Sequence, residues 1–238
     1  SYKFNKLNFK FIFVTFFLLA LIALKDSVGC NLKNKKTFNL SLLNTAQREA
    51  VEHLFGPVLI LAGAGTGKTR TVISRLVNML RQGVSSSEIL AVTFTNKAAK
   101  EMKTRVMSLL KTEKLGISIG TFHSICARLI RNEAKNIGLN PQFAIYDVQD
   151  QLDLYKVVLK VLNISKDIIK PNQARNQISF LKNKMITPEE QLKKARTIFD
   201  KKLVDIYKLY QKMLRENDAL DFDDLLLFPL QIFNDHPN

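Results

Sequence analysis

The stretch Val58–Arg70, VLILAGAGTGKTR, constrains this chain more than any other. A short apolar run, Val58 to Leu61, enters a loop with glycines at 63, 65 and 67. Lys68 and Thr69 then open a segment of helical period. Strand, glycine-rich loop and helix, in that order, are what a P-loop requires. Glycines let the backbone curl until several N–H groups converge on one anion, and the following helix presents its positive end to the same point. Ala62, Gly63, Ala64, Gly65, Thr66 and Gly67 are thus the candidate phosphate cradle. Lys68 would place a charge on the β- and γ-phosphates, and the Thr69 hydroxyl would ligate Mg²⁺. Ala62 stands where the strict pattern begins with Gly. Alone, the loop points to a nucleoside triphosphate and says nothing of the work it drives.

The rest of the composition narrows the partner. A net charge of +15 over 238 residues makes a polyanion the first to consider, either nucleic acid or an anionic membrane surface. Cys30 and Cys126 fit neither a zinc spacing nor a disulfide framework, so a reducing compartment is the default. His53, His123 and His236 form no metal or triad spacing. Residues 1–42 differ in character from the remainder of the chain. Lys3, Lys6 and Lys10 precede the apolar run Phe11 to Leu24, which is too short for the ~20 residues of a spanning helix and resembles the core of a signal peptide. A Lys/Asn-rich linker comes next. Two readings stand: a true address, or upstream sequence translated before the real start. The chain begins with Ser1 rather than Met, as a sequence incomplete at its start would.

From residue 43 onward strand and helix patterns alternate. Asn44 or Thr45 is placed to cap a helix with Ala46, Ala50, Val51 and Leu54 on one face. Val72, Ile73, Leu76, Val77 and Leu80 predict a helix after the loop, ended by Gly83. Ile89 to Phe94 and Ile117 to Phe122 read as buried parallel strands, each followed by a helical pattern, Asn96 to Leu110 and His123 to Asn136. That alternation predicts an α/β fold with a parallel sheet over 43–136. Residues 137–218 are nearly all helical pattern, with a capping box at Thr187-Pro188-Glu189-Glu190. Residues 219–238 turn acidic and apolar, ALDFDDLLLFPL followed by a short tail.

Four blocks in this order carry a family resemblance: LNTAQREAV, AGAGTGKTR, AVTFTNKAAKEMKTRV with GTFHSICARLIR, and LDFDDLL. Together they resemble superfamily-1 DNA helicases of the UvrD/PcrA/Rep type, over Leu43 to Asn238, about the first third of such a protein. The resemblance implies an incomplete P-loop NTPase (RecA-like) parallel sheet carrying a helical insertion subdomain at 137–218, with 219–238 returning to the motor domain. It implies ATP and Mg²⁺ as cofactors. Gln47 is similar to the glutamine that reads the adenine edge, and Arg70 to a residue assisting at the nucleotide. Phe94, Thr95, Asn96 and Lys97 resemble a segment contacting single-stranded DNA, with Phe94 as a stacking platform, and Thr121, Phe122, His123 and Ser124 a second such segment. The residues themselves leave other readings open: Gln47 as a solvent-facing helix position, Phe94 as core, His123 as a cap or a buried histidine.

The implied activity is that of a 3′-to-5′ ATP-dependent DNA helicase in repair or replication restart, acting on single-stranded and junction DNA alongside repair or replication proteins. The implied compartment is the cytoplasm, at the nucleoid, with an organelle as the alternative and membrane contact only if the leader is retained. Asp221, Asp223 and Asp224 invite an Mg²⁺ cluster, but the family's metal-binding carboxylates come later, so Asp221 and Asp224 are expected to be capping or structural. That later block would begin some twenty residues beyond Leu226, past Asn238. The expectation is therefore an N-terminal part of a helicase that unwinds nothing by itself. The alternative is a non-catalytic ATP- or DNA-binding module.

Overall fold

The computed structural model describes residues 22–23, 41–165 and 167–235, and the chain divides into two compact units, Phe9–Ile125 and, apart from Ser1–Asn8, Cys126–Asn238. The leader reading falls almost wholly outside the described residues. Among those described, no helix is long and apolar enough to cross a membrane.

In the first unit, β1 (Ile22–Ala23) lies antiparallel to β2 (Leu90–Thr93), which pairs in parallel with β3 (Ser118–Thr121). The β2–β3 register runs from Leu90 opposite Ser118 to Thr93 opposite Thr121, so both strands end level. Three helices accompany them: α1 (Thr45–Glu52), α2 (Lys68–Arg81) and α3 (Asn96–Leu110). Asn44 caps α1 through a reciprocal pair with Gln47, and Thr95 caps α3 by accepting from the Ala98 N–H at 3.1 Å. Val72, Ile73, Leu76 and Val77 of α2 pack with Ala91, Met102, Val106 and Ile117 into one core. Residues Thr71 to Met79 are all buried, so α2 is enclosed on every side.

One expected strand is not there. Val58 to Leu61 has no strand pairing among the described residues, and Leu59 and Leu61 are 75% and 76% exposed. An apolar β-branched run becomes a strand only where a neighbour offers the ladder hydrogen bonds. The two runs that have a partner, Leu90–Thr93 and Ser118–Thr121, do form strands.

The second unit takes α4 (Phe122–Glu133) from Cys126 onward, then β4 (Ala144–Tyr146), α5 (Val148–Val161), α6 (Pro171–Asn183), α7 (Pro188–Lys194), α8 (Ile198–Glu216), β5 (Ala219–Asp221) and α9 (Phe222–Asp235). β4 and β5 form a parallel pair with Tyr146 opposite Asp221. The Thr187 box forms as its sequence predicts: Thr187 Oγ1 accepts from the Glu190 N–H at 3.2 Å, and Glu190 Oε2 accepts from the Thr187 N–H at 3.0 Å. Tyr155 and Tyr210 stack at 4.1 Å between centroids within a core that includes Leu154, Val158, Ile178 and Ile206.

Candidate nucleotide and nucleic-acid sites

The glycine-rich loop runs straight into α2. Gly65 at φ 77° and Gly67 at φ 90° occupy the left-handed region, which glycine alone enters without strain. Gly67 is also the N-cap, and no side chain caps the helix, so the first N–H groups of α2 are left to whatever the loop encloses. The loop leaves room: a Cβ on Gly65 would meet nothing within 4 Å, and one on Gly63 only the Thr66 methyl at 3.6 Å. Lys68 Nζ donates to the carbonyl oxygens of Ala62 at 2.7 Å and Gly63 at 2.8 Å, which holds the cation over the loop. Thr66 Oγ1 braces the curl by donating to Gly63 O at 2.8 Å. Thr69 is half-buried and Arg70 exposed. Open glycines, uncapped helix donors and a lysine suit a polyphosphate. The Thr69 hydroxyl offers one of the oxygen ligands that Mg²⁺ prefers. No cluster of three or more His, Cys, Asp or Glu suited to a metal occurs among the described residues.

Gln47 reaches this loop from α1. Its Nε2 donates to Thr66 O at 2.9 Å, and its Oε1 accepts from the Asn44 N–H at 3.2 Å, which together fix the orientation of the amide. A carboxamide carries two N–H donors and two acceptor sites. One of each is engaged, and one of each remains, which is the pairing an adenine edge asks for. Gly67 is needed here twice over, since a Cβ there would lie 2.9 Å from Gln47 Nε2.

The level ends of β2 and β3 bring the other expected residues together. Thr93 and Thr121 are partners in register, so the chain leaves both strands at one edge. Phe94 is 60% exposed, which removes its reading as core, and its ring lies 6.2 Å from that of Phe122, tilted by 58°. Thr95, Asn96 and Lys97 lie at the exposed start of α3. Thr121 is buried; its Oγ1 accepts from the Ser124 N–H at 3.2 Å, and Ser124 Oγ donates to Thr121 O at 2.9 Å. His123 is half-buried at the start of α4. Thr121 therefore acts on the turn rather than outward, whereas Phe94 and Lys97 face solvent.

Two sets of polar residues escape the motif reading. Thr71, Ser74, Arg75 and Asn78 form a buried stripe on α2 at i, i+3, i+4 and i+7, a polar pattern of helical period visible in the sequence. Lys182 on α6 is wholly buried in the second unit, where its Nζ donates to Asp221 Oδ2 at 2.6 Å and Asp224 Oδ1 at 2.8 Å. Asp221 also accepts from Tyr210 OH at 3.0 Å and from the Asp224 N–H at 2.9 Å. Burial works against each of these charges, but the two carboxylates hold the Lys182 ammonium firmly protonated, and Lys182 keeps the Asp221 carboxyl below its usual range. Burial raises the Asp224 carboxyl to about 6, with Lys182 opposing and Asp221 adding to the rise. Asp221 accepts from the first turn of α9, the capping position expected of it, and both carboxylates are engaged by the Lys182 ammonium.

Short parallel strands between helices make this a mixed α/β protein. The chain belongs to the UvrD/REP helicase N-terminal domain family, whose model matches residues 43–238. It is 44% identical over 196 residues to an ATP-dependent DNA helicase PcrA of Staphylococcus epidermidis, covering 82% of this chain and 27% of that protein. To the protein of the same name from Bacillus subtilis it is 43% identical over 199 residues, covering 83% and 27%. The chain thus spans about a quarter of the length of these relatives.

Proposed function

We propose that this chain is the N-terminal, ATP-binding and single-strand-binding part of an ATP-dependent DNA helicase. Its frame would be a RecA-like P-loop domain over 43–136 and 219–238, interrupted by a helical insertion over 137–218. Ala62 to Thr69 would take the triphosphate, Thr69 one position on Mg²⁺, Gln47 and Arg70 the rest of the nucleotide, and Lys68 the charge on its phosphates. Phe94 and Phe122 would stack bases, with Thr95, Asn96, Lys97, Thr121, His123 and Ser124 at or behind the DNA backbone. Stacking ignores sequence, which suits a 3′-to-5′ motor that must pass every base in repair or replication restart. Single-stranded DNA and its junctions with duplex are the implied track, and the cytoplasm at the nucleoid the implied place.

The observation that carries the reading is the geometry of the loop: Lys68 held over open, left-handed glycines, with uncapped helix donors behind it and the Gln47 amide alongside. Calorimetric titration of ATP with Mg²⁺ tests it. Lys68→Ala removes the cation over the loop, and loss of a charge-assisted contact of ~1.5–3 kcal/mol should weaken ATP binding by about 10- to 150-fold. Equal binding by wild type and variant would refute the assignment of the loop.

A further inference from the structure

α1 is a helix of eight residues with no basic residue in its last turn, so its C-terminal carbonyls and the negative end of its dipole need partners from elsewhere. The His53 N–H takes Glu49 O at 3.0 Å. The next two carbonyls are met by α2: Arg75 Nη1 donates to Ala50 O at 2.6 Å, and Asn78 Nδ2 donates to Val51 O at 3.0 Å. Both side chains are buried, and burial works against the Arg75 charge, so this guanidinium is placed at some cost. At its other end α1 carries Gln47, bonded to Thr66 O in the glycine-rich loop. The loop in turn opens α2, closing a circuit in which each part fixes the next.

From this circuit we infer that Arg75 and Asn78 are positioning residues that hold α1, and with it the Gln47 amide, in place against the glycine-rich loop, and so set the preference for adenine over other bases. The inference rests on the nucleotide-binding reading above and goes one step further. Both side chains are buried and spent on α1 rather than on the glycine-rich loop. Each acts through the α1 carbonyls, and a shift of that short helix moves the donor and acceptor that Gln47 keeps free. The phosphates are held by the loop and the start of α2, which feel α1 only through the single Gln47–Thr66 bond, so their binding depends on it far less than base recognition does.

The test separates base from phosphate. ATP, ITP and inorganic tripolyphosphate are titrated calorimetrically, each with Mg²⁺, into the full chain as wild type, Gln47→Ala, Arg75→Met, Arg75→Lys and Asn78→Leu, with thermal melts alongside. Inosine lacks the adenine amino group and presents an N–H where adenine offers an acceptor. Arg75→Met should cut the ATP-over-ITP preference about fivefold, the worth of one misplaced hydrogen bond, while tripolyphosphate binding stays within about twofold. Asn78→Leu, the milder change, should cut it in the same direction. Arg75→Lys, which keeps a cationic donor, should recover most of the preference, and combining Gln47→Ala with Arg75→Met should add little to Gln47→Ala alone. An unchanged ATP-over-ITP ratio in both Arg75→Met and Asn78→Leu would overturn the inference. So would a parallel fall of all three ligands with the melting temperature, which marks a role in folding only. If the wild type binds ATP and tripolyphosphate no better than Lys68→Ala, the nucleotide reading itself fails, and this inference with it.

Discussion

Replacing Lys182 by Met leaves two carboxylates, Asp221 and Asp224, buried without a cation. Lys182 is completely enclosed and donates to them at 2.6 and 2.8 Å, with both acids only 3% exposed in their side chains. Removing one partner of a buried pair costs ~3–5 kcal/mol, because the remaining charge keeps its desolvation penalty. Methionine preserves the aliphatic stem, so little of that cost is lost packing. Tyrosine fluorescence during urea unfolding reads the change where it occurs: the chain has no Trp, and Tyr146, Tyr155, Tyr207 and Tyr210 lie in the second unit. Adding Asp221→Asn and Asp224→Asn to Lys182→Met should recover a large part of the loss, since neutral amides are cheaper to bury than charges. A loss under about 1 kcal/mol for Lys182→Met would refute the reasoning, because it would show that the trio is hydrated or unpaired in solution.

The same trio predicts a dependence on pH. The folded chain holds the Asp224 proton more tightly than the unfolded chain does, with a folded pKa of about 6, so this group adds stability as pH falls from about 7 towards 4, by at most about 3 kcal/mol. Asp221, whose pKa is lowered, acts oppositely, its contribution being lost only below the ordinary carboxylate range, and Asp224→Asn should flatten the rise in urea midpoints between pH 7 and 5. At the loop, Gly67→Ala puts a Cβ at φ 90° and 2.9 Å from Gln47 Nε2, for a cost of about 1–3 kcal/mol in thermal melts and a broken Gln47–Thr66 bond. An unchanged melting temperature would mean that the loop takes another conformation in solution.

How far these features can be read from the sequence depends on how local their causes are. The α3 boundaries, the Thr187 box and the β2 and β3 runs arise from caps and period, and the structure places them within about two residues of the pattern. Phe94 could not be assigned by pattern, because an aromatic residue ending an apolar run is core or surface according to where its strand stops. The strand ends at Thr93, which leaves Phe94 outside. Val58 to Leu61 fails as a strand for the converse reason: its composition is right, but pairing is a property of neighbours. Lys182 carried no local signal, since a lysine between Leu181 and Asn183 reads as surface, and its partners lie 39 and 42 residues away. Arg75 and Asn78 did carry one, a polar stripe at helical spacing through an apolar helix, which marks either a solvent face or a buried seam with another helix. Only the position of α1 decides between them.

The central claim is tested most directly by single-strand binding at the level ends of β2 and β3. Fluorescence anisotropy of a labelled oligothymidylate, titrated with the chain at fixed low salt, compares wild type with Phe94→Ala. The side chain is largely exposed, so the substitution should leave folding stability within about 0.5 kcal/mol. Loss of one stacking platform should weaken binding by ~1–3 kcal/mol, about 5- to 150-fold, with the remaining affinity still falling steeply as salt is raised. Equal affinity of wild type and Phe94→Ala, or no binding by the wild type even at low salt, would contradict the account.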